Sequence, residues 1–353
     1  MRIRFLTATP LNIRQGSGTY VGIQVLAGAL EQLGHTVDYE TPRVRLPVFT
    51  AARLLFNRQL KATRDYDLTV GFDMDGYRIA GGAGHVAALK GVIADEVRFE
   101  AGMTRFTMGI QARCERLHVE RAAKVLVTSQ YSAGRAGEFY SLRQAPAIVP
   151  EPIDLAEWRR LLNAHPARSQ RFTVLFVGRH YRRKRVDMLL RAAGWLKDCI
   201  AGLEVRIVGK GPCTERWQEL SRSLHLEGTV TWLGDVSRAE LAAEYNRADL
   251  FCLPSVQEGF GIVLLEAMAA GKSIVAARAA AIPEVAPHAT LVDPDDAEAL
   301  AAGIESLYRA PERQAAQVKA GAAQVARYDA ALVAREFLAA VGAGAKATTA
   351  NRW

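Results

Sequence analysis

The feature that most constrains this chain is a unit of strand, loop, helix and strand that recurs along its length. Residues 2–9 read as a strand, and a loop with Gly16, Ser17 and Gly18 follows. Residues 19–33 read as a helix, with Val21, Val25, Ala29 and Leu33 at turn spacing and Gly34 as its stop. Val37–Tyr39 begin a second strand. Units of this kind build parallel sheets. Leu68–Phe72, His85–Leu89 and Lys124–Thr128 read as further buried strands.

The pattern breaks near 150–170, where Pro150, Glu151 and Pro152 lead into a polar segment with His165, Pro166 and Arg168. It then restarts. Phe172–Val177, Glu204–Val208, Val230–Leu233, Leu250–Leu253 and Ile274–Ala276 read as strands. Asp187–Lys197 and Ile262–Ala270 read as helices, and Ser237 with Glu240 forms a capping box that opens another. From Ala297 to about Val341 the chain is Ala-rich and helical, and 342–353 read as a frayed tail. The expected fold is α/β, with two Rossmann-like, doubly wound domains and a cleft between them. The expected domains are 1–165, 166–335, and a helix end and tail at 336–353. Length agrees: 353 residues exceed the roughly 250–300 at which single cores stop growing.

Composition narrows the partners without choosing one. The chain carries 45 basic and 37 acidic residues, a formal net charge of +8, which favours anionic partners. Cys114, Cys199, Cys213 and Cys252 form no Cys-x-x-Cys pair and read as reduced, buried thiols of a cytosolic protein. No apolar run reaches the roughly 18 residues of a membrane span, and the start has no signal-peptide core.

The strongest motif is Glu258-Gly-Phe-Gly-Ile-Val-Leu-Leu-Glu266. Glu258 follows an apolar strand through a short loop. Gly259 and Gly261 expose backbone N–H groups at a helix start, which suits an anionic or polyhydroxyl ligand. Two carboxylates aimed at one cleft can accept hydrogen bonds from sugar hydroxyls. Two solvated glutamates would be the bland reading, and the flanking glycines and apolar strand weigh against it. A second motif is Phe176-Val-Gly178-Arg179 with Lys184 beyond it. Fixed cations there can stabilise a leaving diphosphate. Arg182, Arg183 and Arg185 read as a solvated basic loop.

With the preceding Leu-Pro-Ser and the following Glu-Ala-Met-Ala-Ala-Gly, this pattern resembles the large retaining glycosyltransferase group of GT-B architecture, family 4. The resemblance is specific over about 170–290 and general over 1–150. It implies that Glu258 holds hydroxyls of the transferred sugar and that Gly259, Phe260 and Gly261 support the same sugar. It implies that Glu266 binds the ribose and that Arg179 and Lys184 clamp the diphosphate. Gly178, and Gly209 within Ile207-Val-Gly209-Lys-Gly211-Pro212, would belong to the donor site, the latter run framing the nucleotide base pocket together with Val230–Gly234. Gly16 and Gly18 would face the donor from the first domain. The implied donor is a nucleotide-diphosphate sugar, with no other cofactor and no metal. The implied acceptor is a glycan, a lipid-linked molecule or a small molecule.

Five features bear on this reading, the first three of them departures from the family pattern. Lys90 stands where many relatives carry a His near the reacting carbon, and it could bind an acceptor phosphate. Glu151-Pro152 replaces the usual Asn-Gly, and Ala280-Ala281 replaces a Gly-Gly. Asp73 and Asp75 look like a metal motif, but without a third ligand they read as cleft-edge acceptor contacts. Asp38 stands where a dinucleotide-binding acid would, yet the spacing Gly16-x-Gly18-x-x-x-Gly22 is wrong for nicotinamide binding.

Residues 41–64 carry Arg43, Arg45, Arg53, Arg58, Lys61 and Arg64 and no acid. As a helix, 53, 57, 61 and 64 would share a face, either solvated or laid on a lipid surface. Nucleic-acid binding is not expected. A peripheral seat on the inner face of a membrane is thus compatible with a cytoplasmic protein. Two other functions stay open: a GT-B nucleotide-sugar epimerase or phosphorylase, and a non-catalytic nucleotide-sugar-binding protein.

Overall fold

The computed structural model describes residues 1–9, 18–43, 46, 48–82 and 84–342. The chain divides into two compact units, one holding 1–9, 19–152 and 330–342, the other holding Gly18 and 153–329. The sequence reading ended its first domain at 165. The units divide between Pro152 and Ile153, and the last helix belongs with the first unit.

The first unit is a six-stranded sheet. Its strands are β1 (Arg2–Leu6), β2 (Thr36–Glu40), β3 (Leu68–Phe72), β4 (His85–Leu89), β5 (Lys124–Val127) and β6 (Ala147–Ile148). They lie in the order β2-β1-β3-β4-β5-β6, and every pair is parallel. Side chains alternate across a strand, so each strand feeds two cores. Val86 and Ala88 of β4 join Leu126 of β5 in one cluster, while Ala87 and Leu89 join Val125 and Val127 in the other. The helix Gly18–Gln32 buries Ile23, Leu26, Ala27 and Leu30, a three-and-four spacing that lays one stripe on the first cluster. Val333, Ala334 and Phe337 of the last helix, Ala330–Ala340, complete that cluster. Phe5 meets Phe72 and Phe337 edge to face, with ring centroids 5.1 and 6.5 Å away.

The second unit repeats the plan. Its strands are β7 (Thr173–Val177), β8 (Glu204–Val208), β9 (Val230–Gly234), β10 (Leu250–Leu253), β11 (Ser273–Ala277) and β12 (Thr290–Val292). Their order is β12-β11-β10-β7-β8-β9, again all parallel. β7, β10 and β11 are buried along their whole length, as strands covered on both faces must be. The capping box appears: Ser237 accepts from the Glu240 backbone, and the Glu240 side chain accepts from the Ser237 backbone. The C-terminal helical stretch is three helices, because Pro311 opens a new one and a short 3-10 turn ends at Tyr328.

Several expectations change. The basic stretch is not one helix: its helix spans Phe49–Gln59, so Lys61 and Arg64 lie beyond it. Arg53 is buried, not solvated or facing lipid, because Asp75 and Asp73 draw its guanidinium inward. Among the cysteines Cys199 is exposed, while the other three are buried. No described helix is long and apolar enough to cross a membrane.

Candidate active site

In a parallel sheet every strand delivers its following loop to the same edge. In the second unit these loops are bonded to one another. Gly178 N donates to Val208 O (3.1 Å), Gly209 N to Gly234 O (2.7 Å) and His180 N to Lys210 O (3.1 Å). Val256 N donates to Arg183 O (2.9 Å) and Ala281 N to Glu258 O (3.3 Å). Gly209 has φ +113, and a Cβ there would stand 2.0 Å from Gly178 O, so only glycine permits this approach. Gly261 has φ +89 and caps the helix Ile262–Ala269.

This edge brings Lys184 and Glu258 together. Lys184 Nζ donates to Glu258 Oε1 at 2.6 Å, with side chains 14% and 9% exposed. Burial of such a pair costs about what the attraction returns, so stability alone does not explain it. Arg179 is more open, 3.8 Å from Asp235 in a loose ion pair. Phe260, beside Glu258, is buried edge to face against Tyr328.

Glu266 does not join that pair. Tyr245 Oη donates to its Oε2 at 3.2 Å, and Trp158 Nε1 donates to its backbone oxygen at 3.1 Å. Burial pushes its carboxyl up to about 7, against the pull of Arg238 and the Tyr245 hydrogen bond. Arg238 lies over the Trp158 ring at 5.4 Å. His180 is fully buried, with Nδ1 2.9 Å from Thr214 Oγ1, and burial beside Arg179 lowers its imidazole to about 4. It stays neutral and braces the loop after β8. Tyr245, Trp158, Asp235 and His180 were not singled out from the sequence. Only Asp235 and His180 had a local signal, since each directly follows a motif residue.

In the first unit the loop after β3 is a buried polar knot. Asp75 is wholly buried and accepts from Ala8 N (2.7 Å), Arg53 Nε (3.0 Å) and Asn57 Nδ2 (3.0 Å). Its carboxylate is fully used, which overturns its reading as an edge contact. Asp73 sits at φ 53, its Oδ1 accepting from Lys90 N at 2.8 Å and its Oδ2 3.4 Å from Arg53. Burial raises the Asp73 carboxyl, while Arg53 and Lys90 N pull it down. Lys90 Nζ donates to Glu151 Oε2 at 2.8 Å. Gly18 is the first residue of its helix, and Gly16 lies outside the described residues. Among the described residues no three His, Cys, Asp or Glu side chains stand together as metal ligands.

Two parallel six-stranded sheets carrying their charged loops at strand ends define the GT-B class, and solved structures of that class agree over nearly the whole chain. A sucrose-phosphate synthase from Thermosynechococcus elongatus is similar over 99% of this chain and 100% of its own, with TM-score 0.78 and 21% identity. HepE of Anabaena, solved with UDP and glucose, is similar over 97% of this chain and 100% of its own, with TM-score 0.70 and 18% identity. Residues 159–324, which hold every candidate residue of the second unit except Trp158, match the family "Glycosyl transferases group 1". A phosphatidyl-myo-inositol mannosyltransferase of Mycolicibacterium smegmatis is 34% identical over 197 residues, 54% of this chain and 50% of that protein. A D-inositol 3-phosphate glycosyltransferase of Segniliparus rotundus is 32% identical over 226 residues, 60% of this chain and 50% of that protein. The chain thus spans about half the length of the curated relatives it matches.

Proposed function

We propose that this chain is a retaining, metal-independent glycosyltransferase that moves a sugar from a nucleotide-diphosphate sugar to an acceptor hydroxyl. The observation that carries the reading is the Lys184–Glu258 pair at 2.6 Å within the family segment, with Arg179 beside the neighbouring strand end. Charge builds on the diphosphate as the sugar leaves, and fixed cations are worth most there. Arg179 and Lys184 supply them. Glu258, held by Lys184, orients the sugar hydroxyls, with Gly178, Gly209, Gly259, Phe260 and Gly261 shaping the donor site. The acceptor hydroxyl attacks the face from which the diphosphate departs, and that diphosphate takes its proton. Glu266 receives the ribose hydroxyls.

The donor side is the unit 153–329, and Asp73 and Lys90 serve the acceptor side in the other. HepE holding UDP and glucose, and relatives named as mannosyl- and glycosyltransferases, support a hexose and a nucleotide diphosphate. Phosphatidylinositol in one relative's name supports a lipid-linked acceptor and a peripheral membrane contact.

Arg179→Ala tests the assignment. Its side chain is 38% exposed, so the fold should persist. A loss of about 3 kcal/mol from the transition state predicts a kcat roughly 100-fold lower. The donor is chosen first by a thermal-shift screen of UDP, GDP, ADP and TDP sugars. Unchanged turnover would sink the clamp.

A further inference from the structure

Lys90 follows β4 and Glu151 follows β6, so the sheet of the first unit brings both to its carboxyl edge. Their side chains are 9% and 6% exposed. Lys90 Nζ lies 5.4 Å from the centre of the Phe72 ring. A Cβ on Gly22 would stand 2.0 Å from Glu151 Oε2 and 3.5 Å from Lys90 Nζ. Gly22 is inside a helix, where glycine costs about 1 kcal/mol against alanine. The room it leaves is filled by the Glu151 carboxyl.

A buried ion pair gives little net stability. What this one offers is chemistry. An ammonium carries three donors, and among the described residues Lys90 Nζ has one hydrogen-bond acceptor, Glu151 Oε2. The Lys90 bond falls on Oε2, and Glu151 Oε1 accepts no hydrogen bond from the described residues. Spare donors and a spare acceptor lie side by side, and Lys90 lines a narrow, partly open cleft with Leu26, Phe72, Leu89, Thr128 and Pro150. The fixed charges joined here are Lys90 and Arg53 against Glu151, Asp73 and Asp75, two cations and three carboxylates. That balance repels a phosphate and suits a neutral group that both donates and accepts.

We propose that the Lys90–Glu151 pair is a hydroxyl-recognition site that selects a neutral polyhydroxyl acceptor and rejects a phosphorylated one at this position. The site rests on the transferase reading for its purpose. Glu151 is the group that cancels the Lys90 charge, and Gly22 positions Glu151.

The test is calorimetric titration of inorganic phosphate into the intact chain and four variants. Glu151→Gln leaves the Lys90 charge uncancelled and should gain one equivalent of bound phosphate over the intact chain. Lys90→Met/Glu151→Gln, with no charge left to bury, should lose that equivalent while melting like the intact chain. Gly22→Ala, which pushes the carboxylate aside, should gain phosphate more weakly. An intact chain whose phosphate binding falls with Lys90→Met overturns the proposal, as does Glu151→Gln that gains none. Transfer to methyl glycosides and to their 6-phosphates gives the second readout. The intact chain should favour the neutral acceptor at least tenfold, and Glu151→Gln should move that ratio at least tenfold toward the phosphate. An unmoved ratio overturns the proposal while leaving the transferase reading intact. A chain that binds no nucleoside diphosphate fails that reading instead, and the phosphate titration still decides the pair.

Discussion

Glu266 holds a carboxyl whose proton affinity burial has raised, and this makes two measurable demands. Its ordinary value of 4.5 becomes about 7 in the folded chain. Between those values the native state keeps a proton that the unfolded state has lost. Stability from this residue is therefore full below about pH 4.5 and falls as pH rises through about 7. The change is up to roughly 3 kcal/mol. Glu266→Gln should flatten that slope, seen as a smaller fall in Tm between pH 5 and pH 8. A slope equal to that of the intact chain would remove Glu266 as its source. The same proton governs the ribose role. Only the ionised carboxylate is a full acceptor, so nucleoside diphosphate affinity should climb between pH 6 and pH 8 in the intact chain and stay level in the variant. Calorimetry showing parallel curves would move the ribose contact elsewhere. Tyr245, buried against Glu266, holds this carboxyl in place, and no spacing in the sequence announces that pairing.

In the helix Phe49–Gln59, Arg53 and Asn57 turn inward to Asp75, and the Phe49 ring, one turn before Arg53, lies 5.7 Å from its guanidinium yet stays 45% exposed, as Val48 just before the helix is 55% exposed. Arg58, Lys61 and Arg64 are exposed as well. This is the part of the basic stretch that can meet an anionic lipid surface. Phe49→Asp should lower pelleting with phosphatidylglycerol vesicles by roughly tenfold, the cost of losing one inserted aromatic. Equal pelleting of both chains, or none of either, would exclude the contact. The helix also shows where sequence reading stops. Continuous apolar runs such as β7 and β10 were legible because burial on both faces leaves them no polar positions. β6 and β12, of two and three residues, are too short to show a period. Arg53 was misread because its partners lie across a loop, at Asp73 and Asp75. Lys184 and Glu258 were legible as motif residues. Their contact was not, since 74 positions separate them.

At the scale of the molecule, the first unit is sewn from distant pieces. Phe337 is 1% exposed in a core built mostly from residues before 150. Phe337→Ala should cost about 3–5 kcal/mol. The loss should fall on the first unit, read as faster hydrogen exchange in β1 and β3 with β7 and β10 unchanged. Uniform exchange across both sheets would refute that localisation. The second unit, by contrast, takes nearly all of its described residues from the single stretch 153–329. This arrangement reverses the usual order of biogenesis. On the ribosome the half made first cannot complete its core until the half made second has emerged, because Phe337 is translated after residues 153–329. At about 5–20 residues per second, Phe5 and Phe72 wait some tens of seconds for Phe337. The nascent chain must be kept from sticking to its neighbours for all of that time.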